Sequence, residues 1–193
     1  MADGVRKAQL NIVVGAPGTG KSTFIRQEVV EKRPKVLVVT PDTSEWRELP
    51  EVHNKQEIYA LTGKARYVCA SKKDFIENVV GKFYGGVLVM DDAMSYLDFQ
   101  TEDTMRYLQI RRRQLGIDIY FVGHGLTQIP PQLFTFTSWI ILFATTDNFS
   151  GRRNRMTEQA YNRVVEAQKE LNKLCFDKHI LYEKRIIKID PTL

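Results

Sequence analysis

The chain has 193 residues, of which 43% are apolar and 26% charged. That balance fits one globular domain spanning 1–193 with a sizeable core, and it excludes a disordered or fibrous chain. No apolar run approaches the ~20 residues of a membrane span, and Met-Ala-Asp-Gly-Val-Arg-Lys at the start lacks a hydrophobic signal region, so the expected compartment is the cytoplasm. The formal net charge of +5 suits a polyanionic partner without demanding one.

In chain order, residues 9–14 read as a strand buried on both faces, because the run is nearly continuous in apolar residues. Gly15-Ala16-Pro17-Gly18-Thr19-Gly20-Lys21-Ser22 follows and matches G-x-x-x-x-G-K-[ST] at every specified position. Glycines there let successive backbone N–H groups turn inward on an anion, and the helix opening at Gly20 aims its positive dipole end at the same point. Lys21 is a cation that can reach β- and γ-phosphates, and the Ser22 hydroxyl can ligate Mg²⁺. The expected nucleotide-binding set is Gly15, Ala16, Pro17, Gly18, Thr19, Gly20, Lys21, Ser22 and Thr23.

That helix is expected to run to about Lys32 and to stop before Pro34. Residues 35–40 form the next buried strand, and Pro41 to Glu45 suggest a turn into a short helix capped by Asp42 or Ser44. The segment 47–64 carries no clear pattern. A strand over 65–70 precedes a helix over about 72–83, which Ser71 and Asp74 open with capping-box spacing. Two cysteines, Cys69 and Cys175, lie in apolar contexts without metal-ligand spacing and read as buried, reduced thiols.

Gly86-Val87-Leu88-Val89-Met90-Asp91-Asp92 is a strand ending in two carboxylates. In an open α/β sheet that edge is where ligands bind. Asp91 would hold Mg²⁺ while the ion keeps most of its octahedral shell, and Asp92 stands where a second carboxylate can orient or deprotonate an attacking water. Alone the pattern is an ordinary strand-to-loop junction; about 70 residues after a phosphate loop it carries weight.

Thr101 or Asp103 can cap a helix over 102–115, with Met105, Leu108 and Leu115 on one face and Arg111-Arg112-Arg113 at its end. The arginines either complement the helix dipole or serve the site. A strand over 117–122 ends in Gly123-His124-Gly125, which places His124 either against a ligand or in an ordinary loop. A short helix started by proline at 130–131, a strand over 138–143 and a polar loop from Asp147 to Arg155 carrying Arg152 and Arg153 come next. The longest helix runs from Thr157 to about Leu174, and residues 180–189 alternate like a hairpin of two short strands at the sheet's edge.

The expected fold is therefore α/β, a mainly parallel sheet sandwiched by helices with a C-terminal β-hairpin. The additional strand at 65–70, between the phosphate-loop unit and the Asp91 strand, and the second acid after Asp91 resemble the additional-strand, catalytic-acid division of the P-loop NTPases. Within it the chain resembles the FtsK–HerA group of RecA-like ATPases, and inside that the genome-packaging ATPases of viruses with internal membranes. GAPGTGKS at 15–22, VLVMDD at 87–92 and RRRQLGIDIYFVGHG at 111–125 carry the likeness. Two positions depart from the group's pattern. His124 stands where glutamine is usual, and Asp92 where glutamate is commoner.

The resemblance implies a homo-oligomeric ring with ATP and Mg²⁺ bound between neighbours. Arg113, Arg152 or Arg153 of one subunit would reach the γ-phosphate held by the next, and His124 would act as the polar sensor. It further implies central loops that grip double-stranded DNA without reading sequence, capsid or membrane-vertex proteins as partners, and residence in a host cytoplasm or virion. Two alternatives stay open: a nucleoside or nucleotide kinase with an arginine-bearing lid around Arg152 and Arg153, and a Zot-like phage morphogenesis ATPase.

Overall fold

A computed structural model describes residues 8–97 and 102–189, the side chains of residues 102, 103 and 105 excepted. Seven strands form one sheet: β1 Leu10–Val14, β2 Val36–Thr40, β3 Lys64–Val68, β4 Gly86–Met90, β5 Ile117–Gly123, β6 Trp139–Phe143 and β7 Lys184–Lys188. Their order is β3-β2-β4-β5-β1-β6-β7. Every pairing is parallel except that of β6 with β7.

Side-chain alternation along the strands builds two cores. Leu10, Ile12 and Val14 of β1 face one side with Leu88, Met90, Ile119 and Phe121, while Val13 faces the other with Val38, Val89 and Val122. The central strands are buried on both faces, which is why they read as continuous apolar runs. β3, at the edge, buries only alternate residues.

The helices are α1 Lys21–Phe24, α2 Lys55–Ala60, α3 Lys72–Asn78, α4 Glu102–Leu115, α5 Pro131–Phe136 and α6 Glu158–Asn172. α1 continues as wider π-type turns over Ile25–Val30, with Glu31 N–H reaching the Arg26 carbonyl at 2.9 Å. It covers the Val13 face through Phe24, Ile25, Val29 and Val30, and α3 to α6 cover the other. Ser71 caps α3 by accepting from Asp74 N–H, and Thr157 caps α6 by accepting from Ala160 N–H. The caps expected at Thr101 or Asp103, and the Met105 side chain, lie outside the described residues.

Four expectations are corrected. The strand that separates β1 from β4 in space is β5, not 65–70; β3 follows the phosphate loop in the chain but closes the far edge of the sheet. Chain order does not fix sheet order, since a parallel crossover can step to either side. The tail is not a hairpin: Tyr182 turns with φ 69°, and a single strand, β7, runs antiparallel along β6. The short helix expected after Pro41 does not form over 41–50. Asp42 Oδ1 accepts from Ser44 N–H and hydroxyl, and Trp46 takes φ 59°, so the segment is a chain of turns. α3 stops at Asn78, short of 83, and the turns that follow carry Phe83 into the core.

Candidate nucleotide site

The phosphate loop sits where β1 stops, pinned to its neighbour by Ala16 N–H, which donates to the Ala144 carbonyl at 2.8 Å. A Cβ on Gly15 would lie 2.5 Å from Phe143 Cβ, so only glycine lets the loop pass this close to β6. Lys21 is buried under the loop, and its Nζ donates to the Gly15 carbonyl at 2.7 Å and the Ala16 carbonyl at 3.1 Å. Burial pulls its pKa down, and the nearby Asp91 and Asp92 carboxylates pull it back up. The ammonium is thus held on backbone oxygens at the point where a phosphate would claim it.

Opposite Lys21, Asp91 extends the β4 ladder, with its N–H on the Val39 carbonyl at 2.8 Å. Its carboxyl is buried, and that burial raises its pKa; the Trp46 bond opposes the rise, Asp92 adds to it and Lys21 opposes it. Trp46 Nε1 donates to Asp91 Oδ2 at 2.7 Å. Trp46 reaches that place because Arg66 of β3 grips the 41–51 segment. Its Nη1 donates to the Thr43 and Glu45 carbonyls at 2.9 and 2.6 Å, and its Nη2 meets Glu51 Oε2 at 2.6 Å.

Asp92 leaves the strand in the left-handed region, at φ 42° and ψ 47°, which aspartate tolerates better than most residues. From this turn its carboxylate accepts from the Ser95 hydroxyl and comes within 3.5 Å of His124 Nε2. His124 stands at the tip of β5, with its backbone N–H on Gln128 Oε1 at 3.1 Å. Both side chains are partly exposed, at 43% for His124 and 39% for Asp92. Solvent therefore reaches the pair directly.

These groups share a cavity of about 250 Å³, with Pro17, Gly18, Lys21 and Ser22 on one wall and Asp91, Asp92, Gly123 and His124 on the other. Thr40, Asp42 and Glu45 complete its rim. Ser22 and Asp91 on facing walls suit a hard cation that takes one hydroxyl, a carboxylate through water and phosphate oxygens. Among the described residues no cluster of three or more His, Cys, Asp or Glu side chains offers an all-protein metal cage. A hydroxyl and a carboxylate on facing walls fit Mg²⁺ carried in with a nucleotide.

No protein-family model matches the sequence, and no curated protein matches it. Solved structures do. The chain superposes on the genome packaging NTPase B204 of Sulfolobus turreted icosahedral virus 2 in complex with AMP at a TM-score of 0.72, with 16% identity, over 96% of this chain and 98% of that one. The same NTPase in complex with ATP-gammaS gives a TM-score of 0.71 at 15% identity, over the same 96% and 98%. B204, the DNA-packaging ATPase from Sulfolobus turreted icosahedral virus, gives 0.66 at 14%, over 93% of this chain and 97% of that one.

This chain has the P-loop NTPase fold.

Within that P-loop NTPase fold the three candidate arginines stand apart from the phosphate cavity, and none of them lines it. Arg152 and Arg153 sit beyond β6 on a 3₁₀ turn over Ser150–Arg155. Arg152 Nη2 donates to the Thr127 carbonyl at 2.6 Å, and Arg153 Nη2 meets Glu158 Oε1 at 2.7 Å. Arg113 is at the opposite edge of the sheet, where the strands begin. There it lines a larger cavity of about 440 Å³ with Arg33, Lys35, Gly86 and Asp118. Of its two neighbours, Arg112 is buried as a structural donor to the Ala8 carbonyl at 3.3 Å, and Arg111 pairs with Gln114.

Trp46 is the site residue that sequence reasoning passed over. The available signal was a lone tryptophan in an otherwise polar stretch, a residue type that rarely sits unburied without cause. Both cysteines are buried free thiols, as expected. Among the described residues no helix is long and apolar enough to cross a membrane.

Proposed function

We propose that this chain is an ATP-hydrolysing motor that moves double-stranded DNA, and that it packages a viral genome. The observation that carries the reading is the seating of β5 between β1 and β4, which sets His124 3.5 Å from Asp92 at the mouth of the phosphate cavity. Asp92 and His124, open to solvent, suit activation of water better than capture of a metabolite hydroxyl, which favours hydrolysis over the kinase alternative. The likeness to B204 over nearly the whole chain supports packaging as the purpose.

In this reading the loop from Gly15 to Thr23 holds the phosphates through those backbone N–H groups it leaves unpaired, and Lys21 leaves its loop carbonyls for the β- and γ-oxygens. Ser22 and Asp91 would hold Mg²⁺, which would supply charge neutralisation across the transferring phosphoryl group. Asp92 accepts a proton from the attacking water, and His124 fixes the Asp92 carboxylate and senses the γ-phosphate. Arg113 faces away from its own chain's cavity, so it can serve only a nucleotide held by a neighbouring copy; Arg152 and Arg153 remain alternatives for that role. The chain would work as a homo-oligomeric ring, gripping DNA phosphates without reading sequence. It would act in the host cytoplasm or the virion beside capsid or membrane-vertex proteins.

The test is ATP turnover by the purified chain with and without long double-stranded DNA, and with candidate nucleosides. DNA-stimulated phosphate release is expected. A phosphorylated nucleoside product would replace the motor with a kinase.

A further inference from the structure

The cavity between Lys21 and Asp91, at about 250 Å³, is smaller than the roughly 300–1,000 Å³ of pockets that enclose a whole small ligand. A triphosphate tail with its metal would fill it, and a nucleoside would then lie against the outer surface of the loop. What the chain offers there is Tyr182. A Cβ built on Gly20 would stand 2.5 Å from Tyr182 Cδ1 and 3.3 Å from its Cβ and Cγ, so the ring rests directly on the last glycine before α1.

Three features make this more than a chance surface contact. Tyr182 takes φ 69°, an outlier for a bulky residue that persists only where its surroundings impose it. Those surroundings are strong on both sides: Ile180 N–H donates to the Leu174 carbonyl at 2.9 Å, and β7 begins two residues on, with Lys184 in register with Phe143. Lys184 Nζ also lies 5.4 Å from the centre of the Phe24 ring on α1, tying the start of β7 to the helix that leaves the loop. Despite this clamping the Tyr182 side is 61% exposed, and Leu181 beside it is 49% exposed. An aromatic ring fixed by the backbone and left open to solvent is a stacking surface awaiting a flat partner.

We infer that Tyr182 is the platform on which the nucleobase stacks, with the 180–183 turn forming the base side of the nucleotide site. The inference rests on the nucleotide-binding reading above and adds to it the residue that contacts the base. Stacking recognises the π-face that every base presents, so Tyr182 contributes affinity and orients the nucleoside. It also gives Gly20 a second reason to be glycine, besides its φ of 102°.

The experiment titrates the full chain, with Mg²⁺ present, against two probes: ATP and inorganic tripolyphosphate, which has the phosphates and no base. Tyr182→Ala is expected to weaken ATP roughly tenfold or more while leaving tripolyphosphate unchanged. Tyr182→Gly, which also relieves the positive φ, should do the same, and Tyr182→Phe, which keeps the ring, should restore affinity relative to both. ATP affinity unchanged in Tyr182→Ala and Tyr182→Gly overturns the inference, as does an equal loss for both probes, which would mark Tyr182 as a prop for the loop. Failure of the wild-type chain to bind either probe would instead overturn the nucleotide-binding reading itself.

Discussion

Trp46 Nε1 donates to Asp91 Oδ2 at 2.7 Å, so the carboxylate expected to serve Mg²⁺ is aimed by an indole 45 residues earlier in the chain. One oxygen of Asp91 is thereby fixed, and the Asp92 backbone N–H also bonds the carboxyl. Trp46→Phe keeps the packing and removes the donor, leaving a buried carboxylate oxygen unsatisfied. A stability loss of about 1–3 kcal/mol is expected in urea unfolding, with weaker Mg²⁺-dependent ATP binding. The chain has two tryptophans, so a Trp139→Phe background isolates Trp46 emission, which should change when Mg²⁺ and nucleotide bind together.

Lys21 and Asp92 should separate binding from chemistry. Lys21→Ala removes the cation proposed to neutralise the β- and γ-phosphates, and tight ATP binding should be lost in calorimetry. Asp92→Asn keeps the left-handed turn, because asparagine tolerates it equally. It should spare binding and reduce turnover by at least a hundredfold, within the range for losing a general base. Equal loss of binding in both variants would remove Asp92 from the water-activating role.

Gly15→Ala probes the loop's approach to β6. The added methyl would meet Phe143 Cβ, which cannot rotate away, at 2.5 Å. A backbone shift costing about 1–3 kcal/mol is expected, read as a lowered melting temperature together with weakened ATP binding.

Cys69 gives an alkaline signature. Burial pushes its thiol up to about 12, with a smaller opposing contribution from the Ser71 backbone. The folded chain thus keeps a proton that the unfolded chain gives up near pH 8.5. Stability is therefore full below that pH and falls as pH rises toward 12. Melting temperatures at pH 8 and pH 10 should show this fall, reduced in Cys69→Ala. Iodoacetamide at pH 8.5 should label Cys69 only after unfolding.

Mixing tests the arginines. Doping wild type with Arg113→Ala subunits should depress ATP turnover more steeply than in proportion to dose if Arg113 acts on a neighbour's nucleotide. Strictly proportional loss, repeated for Arg152→Ala and Arg153→Ala, would show that none of the three works in trans.

Much of this architecture was legible in the chain. Strands buried on both faces must be apolar throughout, so β1, β2, β4, β5 and β6 announced themselves as runs, within one or two residues of their observed bounds. The phosphate loop was equally plain, because its chemistry fixes residue types at fixed spacing. The tail was not: alternation over 180–189 is compatible with two strands or one, and it was pairing with β6 that selected one. The stretch 41–51, read as a short helix at its start and as patternless from 47 onward, escaped for a similar reason. It lacks a period because it is held by Arg66 of β3 and not by its own repeating contacts.

By itself the sequence determined the loop, the two adjacent acids and the alternation of strands and helices, since each is a local consequence of residue type and period. Only the tertiary structure decided what stands beside what. Inserting β5 between β1 and β4 delivered His124 to Asp92, placing Arg113 at the opposite edge took it away from its own cavity, and running β7 along β6 laid Tyr182 on Gly20. These adjacencies join residues far apart in the chain. They are set by which apolar faces pack together and not by any pattern within a single segment.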